Sequence, residues 1–182
     1  MGGAILQPGD EVKASYSVSS RYLNTGYLWD TIRVMGGAYG GFARFSEATG
    51  RFVYISYRDP NCLNTLNTYD ATPDALTEAE ISSEDVLQAV IGAIGDLDAP
   101  MGPDQKGFES LVQFINGETK EDRQRWRTGI LNTKSSDFKE FANHLSKLRE
   151  SGTIVVFGAS QAIESANLKL PEHKKMIVEQ AL

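Results

Sequence analysis

Arg33 and Tyr39 are the two side chains in this sequence whose types and setting suggest chemistry. They lie six residues apart in the stretch RVMGGAYGGF. Four glycines surround the tyrosine: Gly36, Gly37, Gly40 and Gly41. Glycines remove side chains from the backbone near Tyr39, so another backbone can approach closely. A guanidinium and a phenol are strong hydrogen-bond donors, and a peptide carbonyl, or the oxyanion it becomes during hydrolysis, is a suitable acceptor for both.

A purely structural role for the same two residues is the alternative. Arg33 can close the end of a helix, where a cation is favourable, and Tyr39 can fill the edge of the core. From the residues alone both interpretations stay open.

Other kinds of catalytic site have little support. The candidate zinc ligands are His144, His173 and Cys62, and the sequence has no His-x-x-x-His, His-x-x-Glu-His or Cys-x-x-Cys spacing. Ser160 in FGASQ follows a strand-like run but lacks the second glycine of the Gly-x-Ser-x-Gly turn. We therefore expect no metal, no bound cofactor and no catalytic nucleophile in this chain.

Composition indicates one globular domain over residues 1–182. The chain has a net charge of −6, which disfavours nucleic acid as a partner. No apolar run reaches the roughly 18 residues of a membrane span, and a single cysteine excludes an internal disulfide. We expect a soluble domain with no membrane partner. The compartment stays unknown, and both a bacterial cytoplasm and an organelle lumen such as the mitochondrial matrix are compatible with these features.

Arg33 falls at the end of a predicted helix. Apolar residues recur at helical spacing through YSVSSRYLNTGYLWDTIRV, which predicts one helix from about residue 15 to 33. Gly26 is a weak point in it, costing up to about 1 kcal/mol relative to alanine. VKASYSV also alternates like a strand, but the helical pattern accounts for more positions. The glycines then lead into GFARF and RFVYISY, which predict a β-hairpin whose second strand is central, with Gly50 available for a positive φ.

The rest of the chain reads mainly as helices. Helical patterns follow RDPN and then recur in SSEDVLQAVIGAIGDL, 104–116, 120–132, 136–149 and ASQAIESAN. TIVVF and KKMIV predict two further strands. This order predicts an α+β fold, in which helices pack on one face of a mostly antiparallel sheet. We expect the sheet to lack all or part of its first strand, and residues 1–10 to be loosely ordered.

Three motifs resemble a known family. LWDTIRVMGGAYGGFARFSEATGRFVYISYRDPN, followed by IGAIGDLDAP and EDRQRWR, resembles the C-terminal portion of presequence protease and its relatives. These enzymes belong to the pitrilysin and insulin-degrading-enzyme family of zinc metallopeptidases. The similarity runs from about residue 15 to the end of the chain.

The resemblance implies a larger parent enzyme that degrades short unstructured peptides. Several copies of one α+β domain would form two halves that close around the peptide, with zinc and its inverted His-x-x-Glu-His motif in the first domain. This chain would be the last, non-catalytic domain, and its partners would be the N-terminal catalytic half and the peptide substrate. In the family an arginine and a tyrosine of this domain reach the catalytic zinc, and they correspond to Arg33 and Tyr39 here.

The resemblance thus favours substrate and transition-state binding by Arg33 and Tyr39, supported by the four glycines. An alternative from another class is a stand-alone α+β binding or scaffold domain with no catalytic partner. The incomplete first strand also leaves a sheet edge at which two copies of the chain can pair, in a crystal or as a homodimer.

Overall fold

The computed structural model describes residues 1–180, which form a three-stranded antiparallel sheet and a layer of helices. The strands are β1 (Gly2–Ala4), β2 (Gly40–Ser46) and β3 (Arg51–Tyr57), in the order β1-β3-β2. β2 and β3 form the predicted hairpin, β3 is central, and Gly50 in the connecting turn has a φ of 60°. These features of the α+β prediction are confirmed.

Helices cover one face of the sheet and leave the other open. Along β3, Phe52 and Tyr54 are buried whereas Val53 and Ile55 are exposed. This alternation follows from the period of two residues along a strand, which sends successive side chains to opposite faces. The buried rings pack with Phe141 and its neighbours in the helical layer.

Eight α-helices, one π-helix and one 3₁₀ turn account for most of the described chain. The α-helices are α1 (Ser15–Thr25), α2 (Cys62–Glu78), α3 (Ser83–Leu97), α4 (Pro103–Asn116), α5 (Lys120–Leu131), α6 (Ser135–Leu145), α7 (Leu148–Ser151) and α8 (Ser160–Asn167). The π-helix lies at Trp29–Met35 and the 3₁₀ turn at Glu172–Lys174. Ser82 and Thr119 form capping boxes at the starts of α3 and α5, in which the side-chain oxygen accepts a backbone N–H three residues on. No helix within residues 1–180 is long and apolar enough to cross a membrane.

The helix predicted over 15–33 is interrupted at Gly26. α1 ends there, and the chain continues through a short helical stretch into the π-helix that carries Arg33 and ends at Met35. Asp30 still donates its N–H to the Gly26 carbonyl, 2.9 Å away, so the two segments remain connected. Short π-helical stretches occur frequently at functional sites.

The ends of the chain differ from the sequence-based expectations. We expected residues 1–10 to be loosely ordered, but β1 pairs with β3 and Ile5 is fully buried. Local pattern could not show this, because the partner of β1 lies about 50 residues away. The predicted helix over 136–149 divides into α6 and α7.

The two further strands predicted near the C-terminal end were wrong. In TIVVF, only Thr153 pairs, through a bridge to Gly2, and Phe157 is 93% exposed. Beyond this bridge, TIVVF has no strand neighbour within residues 1–180. In KKMIV, the side chain of Asn167 bonds both the N–H and the carbonyl of Met176, so an amide rather than a strand satisfies this backbone.

Candidate functional site

The π-helix presents Arg33 to solvent. The guanidinium carbon lies 4.0 Å from the centre of the Trp29 ring, one turn earlier on the same segment. This cation–π contact directs an otherwise flexible side chain. The Arg33 carbonyl accepts the N–H of Gly37, 3.0 Å away, and so begins the turn that leads to Tyr39.

Tyr39 is 67% exposed and sits at the entrance to β2. Its ring meets the Tyr57 ring edge to face, with centroids 6.0 Å apart and an interplanar angle of 82°. The Arg58 guanidinium carbon lies 5.9 Å from the Tyr39 ring and 5.4 Å from the Tyr57 ring. The backbone N–H of Tyr39 donates to the Arg58 carbonyl at 3.3 Å. The phenol is therefore held by contacts to its ring and backbone, and its hydroxyl forms no hydrogen bond within residues 1–180.

Hydrogen bonds connect the loop after β3 to the turn that contains Gly36 and Gly37. Arg58 has a φ of 48°, a left-handed conformation that non-glycine residues rarely adopt. Asp59 accepts hydrogen bonds from the Asn61 N–H at 2.9 Å and the Thr65 hydroxyl at 2.6 Å. The Asn61 side chain in turn donates to the Gly36 carbonyl. Because these bonds fix the loop on one side and Gly36 on the other, they set the position of the segment between Arg33 and Tyr39.

The four glycines near Tyr39 lie in different structural environments. A Cβ on Gly41 would lie 2.7 Å from the Ile32 side chain, and one on Gly36 would lie 2.5 Å from the Ile32 carbonyl oxygen. Gly37 has a φ of 75°, which favours glycine. A Cβ on Gly40 would meet no other atom within 4 Å. Close approach within the chain thus explains Gly36 and Gly41, and only Gly40 leaves open space for another molecule.

Cys62 opens α2 directly beyond this loop and packs against the core. Burial, with a smaller contribution from the Asp59 charge, raises the pKa of its thiol. A thiol with a raised pKa is a poor nucleophile, because the thiolate is the reactive form.

The site is an open surface with two donors. Two concavities of about 530 and 670 Å³ occur elsewhere in the described part of the chain, and Arg33 and Tyr39 line neither. Within residues 1–180 no three histidine, cysteine, aspartate or glutamate side chains are placed to hold a metal ion. The exposed guanidinium and phenol can donate hydrogen bonds to an anionic or carbonyl oxygen.

Sequence reasoning missed two neighbours of the site. Trp29 lies four residues before Arg33, the spacing at which helical side chains meet, and this could have indicated the contact. Arg58 gave no comparable signal, because its place over the two tyrosine rings depends on the hairpin bringing Tyr39 beside Tyr57.

Comparison with known proteins gives consistent matches. The model of one protein family, described as the PreP C-terminal domain, matches residues 1–161. The chain is 44% identical over 165 residues to presequence protease 1, chloroplastic/mitochondrial, of Arabidopsis thaliana, covering 91% of this chain and 15% of that protein. It is 32% identical over 163 residues to protein HypA of Clostridium perfringens, covering 90% and 17%. It is 37% identical over 129 residues to the mitochondrial presequence protease of Emericella nidulans, covering 71% and 12%. The chain thus spans less than a fifth of the length of these relatives.

Proposed function

The chain belongs to the PreP C-terminal domain family, and from that premise we propose that it is the non-catalytic, substrate-binding domain of a zinc peptidase that degrades short unstructured peptides. In this proposal the N-terminal half of the same polypeptide performs the chemistry. The present chain closes over that half and supplies Arg33 and Tyr39.

One observation carries the proposal. Two strong donors stand on an open surface, and the contacts that hold them use no hydrogen bond of the Arg33 guanidinium or the Tyr39 hydroxyl within residues 1–180. Arg33 lies over Trp29, and Tyr39 is held by Tyr57 and by its backbone bond to Arg58. A residue that served only the core would be buried with its polar group bonded inside the protein. Surface donors held in this way are suited to a binding site whose other half lies on a second surface.

In this proposal the chain's own residues bind the peptide substrate and orient it. The Arg33 guanidinium donates to a carbonyl oxygen of the peptide. The Tyr39 hydroxyl donates a second hydrogen bond to the oxygen that becomes negative when the carbonyl is attacked. In this proposal zinc and the attacking water belong to the N-terminal half.

Comparing the full-length parent with a version that lacks this chain's residues, and with the isolated chain, tests the proposal. We expect the full-length parent to hydrolyse an unstructured peptide, and a version that lacks this chain's residues to keep its zinc but lose at least about 100-fold in rate, as expected when transition-state donors are removed. We expect the isolated chain to show no chelator-sensitive hydrolysis and no stoichiometric zinc by atomic emission.

Two results would contradict the proposal. The first is stoichiometric zinc and chelator-sensitive hydrolysis by the pure isolated chain. The second is a parent gene that encodes no inverted His-x-x-Glu-His motif upstream, which would instead identify the chain as a binding or scaffold domain without a catalytic partner.

A further inference from the structure

Arg58 combines a costly backbone conformation with an exposed side chain. Its φ of 48° lies in the left-handed region, where a residue with a Cβ is strained and glycine is not. Such strain persists only where neighbouring contacts fix the backbone, and it occurs frequently at functional sites. An arginine at this position therefore indicates a role for its side chain that glycine would not perform.

Contacts of the backbone and of Asp59 fix this conformation without the arginine side chain. The Arg58 carbonyl accepts the Tyr39 N–H at 3.3 Å. The next residue, Asp59, accepts the Asn61 N–H at 2.9 Å and the Thr65 hydroxyl at 2.6 Å. A glycine at position 58 would offer the same carbonyl without the left-handed strain. The loop itself thus does not require a guanidinium.

The guanidinium of Arg58 instead contacts two tyrosine rings. Its carbon lies 5.9 Å from the Tyr39 ring centre and 5.4 Å from the Tyr57 ring centre, within the range of cation–π attraction. The two rings also meet edge to face, so the guanidinium and the Tyr57 ring together restrict the Tyr39 ring. Arg58 forms no ion pair within residues 1–180, so no carboxylate there competes with the rings for its charge.

The Tyr39 side chain depends on these contacts because its surroundings are open. The residue is 67% exposed, and a Cβ on the adjacent Gly40 would meet no atom within 4 Å. An exposed cation–π contact changes the population of one side-chain orientation by about two- to fivefold. Removing the Arg58 guanidinium should therefore let the Tyr39 ring occupy several orientations.

We propose that Arg58 is a positioning residue for Tyr39: its guanidinium holds the phenol ring so that the hydroxyl points at the reacting oxygen of the bound peptide. The inference rests on the proposed function, because it concerns the donor that this function assigns to Tyr39. Position matters because a displacement of about 1 Å can cost up to about 100-fold in rate. Arg33, in contrast, would contact the peptide itself.

A double-mutant cycle in the full-length parent tests whether Arg58 acts through Tyr39. The readout is the single-turnover rate of cleavage of an unstructured peptide at saturating concentration. Arg58→Gly should lower this rate about three- to tenfold, because the ring loses its fixed orientation. In a Tyr39→Phe enzyme the same change should lower the rate by less than about 1.5-fold, because the hydroxyl that Arg58 positions is already absent.

Two further variants separate the charge from the backbone conformation. Arg58→Lys keeps a cation on the same strained backbone and should stay within about twofold of the wild-type rate. Arg44 is exposed on β2, where it lies opposite Val53. Arg44→Gln removes one positive charge from the same hairpin and should also stay within about twofold, because solvent screens exposed charges.

Two measurements on the isolated chain require no catalysis. In NMR spectra, the ring resonances of Tyr39 should shift in Arg58→Gly and not in Arg44→Gln, since only the first change removes the cation beside the ring. In urea denaturation, the midpoint of Arg58→Gly should be no more than about 0.3 M below that of wild type, because relief of the left-handed strain offsets the lost ring contacts.

Four results would overturn the inference. They are an Arg58→Gly rate within about 1.5-fold of wild type, an equal loss with and without the Tyr39 hydroxyl, unchanged Tyr39 ring resonances, or a urea midpoint that falls by more than about 1 M. The last result would assign Arg58 a purely structural role. Failure of the proposed function is distinguishable, since Tyr39→Phe alone would then leave the cleavage rate unchanged. The NMR comparison would still decide whether Arg58 holds the ring.

Discussion

Replacing Gly41 by alanine should destabilise the fold, because this glycine is where β2 passes the helix that carries Arg33. A Cβ added there would lie 2.7 Å from Cγ2 and 2.8 Å from Cβ of Ile32. Carbon atoms in contact normally lie about 3.5 to 4.0 Å apart, so the overlap is about 1 Å. One of the two atoms it meets is attached directly to the backbone, so rotation of the Ile32 side chain cannot relieve the whole overlap.

The expected loss in the free energy of unfolding follows from this geometry. Ile32 is 2% exposed and packed in the core, so relief requires the π-helix to move away from β2. Forcing an extra carbon into a packed core typically costs about 1 to 3 kcal/mol. We expect Gly41→Ala to lower the free energy of unfolding by that amount, and we expect the shift of the π-helix to displace Arg33.

Urea denaturation followed by circular dichroism measures the change, since the free energy of unfolding falls linearly with denaturant. Gly40→Ala is the matched control, because the Cβ of an alanine at position 40 meets nothing within 4 Å and the residue has no positive φ. The control should stay within about 0.5 kcal/mol of wild type. An equally small loss from Gly41→Ala would refute the packing explanation.

Three further predictions concern stability elsewhere in the chain. Ser82→Ala removes the oxygen that caps α3 and should cost about 0.5 to 2 kcal/mol in urea denaturation, whereas no measurable loss would contradict the capping role. Burial raises the pKa of Tyr69 to about 12, above the ordinary value near 10, so the folded state keeps a proton that the unfolded state loses. Stability should therefore fall as pH rises from about 10 to 12, and Tyr69→Phe should reduce the slope of that fall. Lys174→Met leaves Asp70 without its partner at 2.6 Å, where the lysine side chain is 10% exposed, and should cost about 1 to 3 kcal/mol. Lys175→Met breaks an exposed pair and should change stability by less than about 1 kcal/mol, and equal losses from the two lysine variants would contradict this difference.

Sequence reasoning succeeded where the signal was local. The hairpin follows from two aromatic runs around a turn with Gly50, and the helical patterns in SSEDVLQAVIGAIGDL and 120–132 correspond to α3 and α5. It failed where a partner lies far along the chain. TIVVF has strand composition, but a strand needs a neighbour, and β1 supplies a partner only to Thr153.

The role of Arg33 and Tyr39 stays a prediction, whereas the structure shows which residues surround them. From the sequence we expected Arg33 and Tyr39 to form one site, in which four glycines allow another backbone to approach closely. The structure instead places Gly36 and Gly41 against Ile32 inside the chain. The contacts of Arg58 with Tyr39 require the hairpin to be formed, so no local pattern could reveal them.

α4 shows the limit of periodicity as a guide to burial. Its pattern over 104–116 predicted the helix correctly, yet none of its residues is buried, and Phe114 is 83% exposed. Periodicity identifies which side chains share a face of a helix, but it carries no information about what covers that face.

The single-turnover rate of peptide cleavage by the full-length parent, measured at saturating peptide, tests the role of Tyr39 most directly because it excludes product release. Tyr39→Phe should lower that rate by about 10²- to 10³-fold, the usual effect of losing one oxyanion donor. Tyr57→Phe, which removes a neighbouring hydroxyl and keeps the ring contact, should leave the rate within about threefold. A Tyr39→Phe enzyme that is fully folded and cleaves at the wild-type rate would contradict the account.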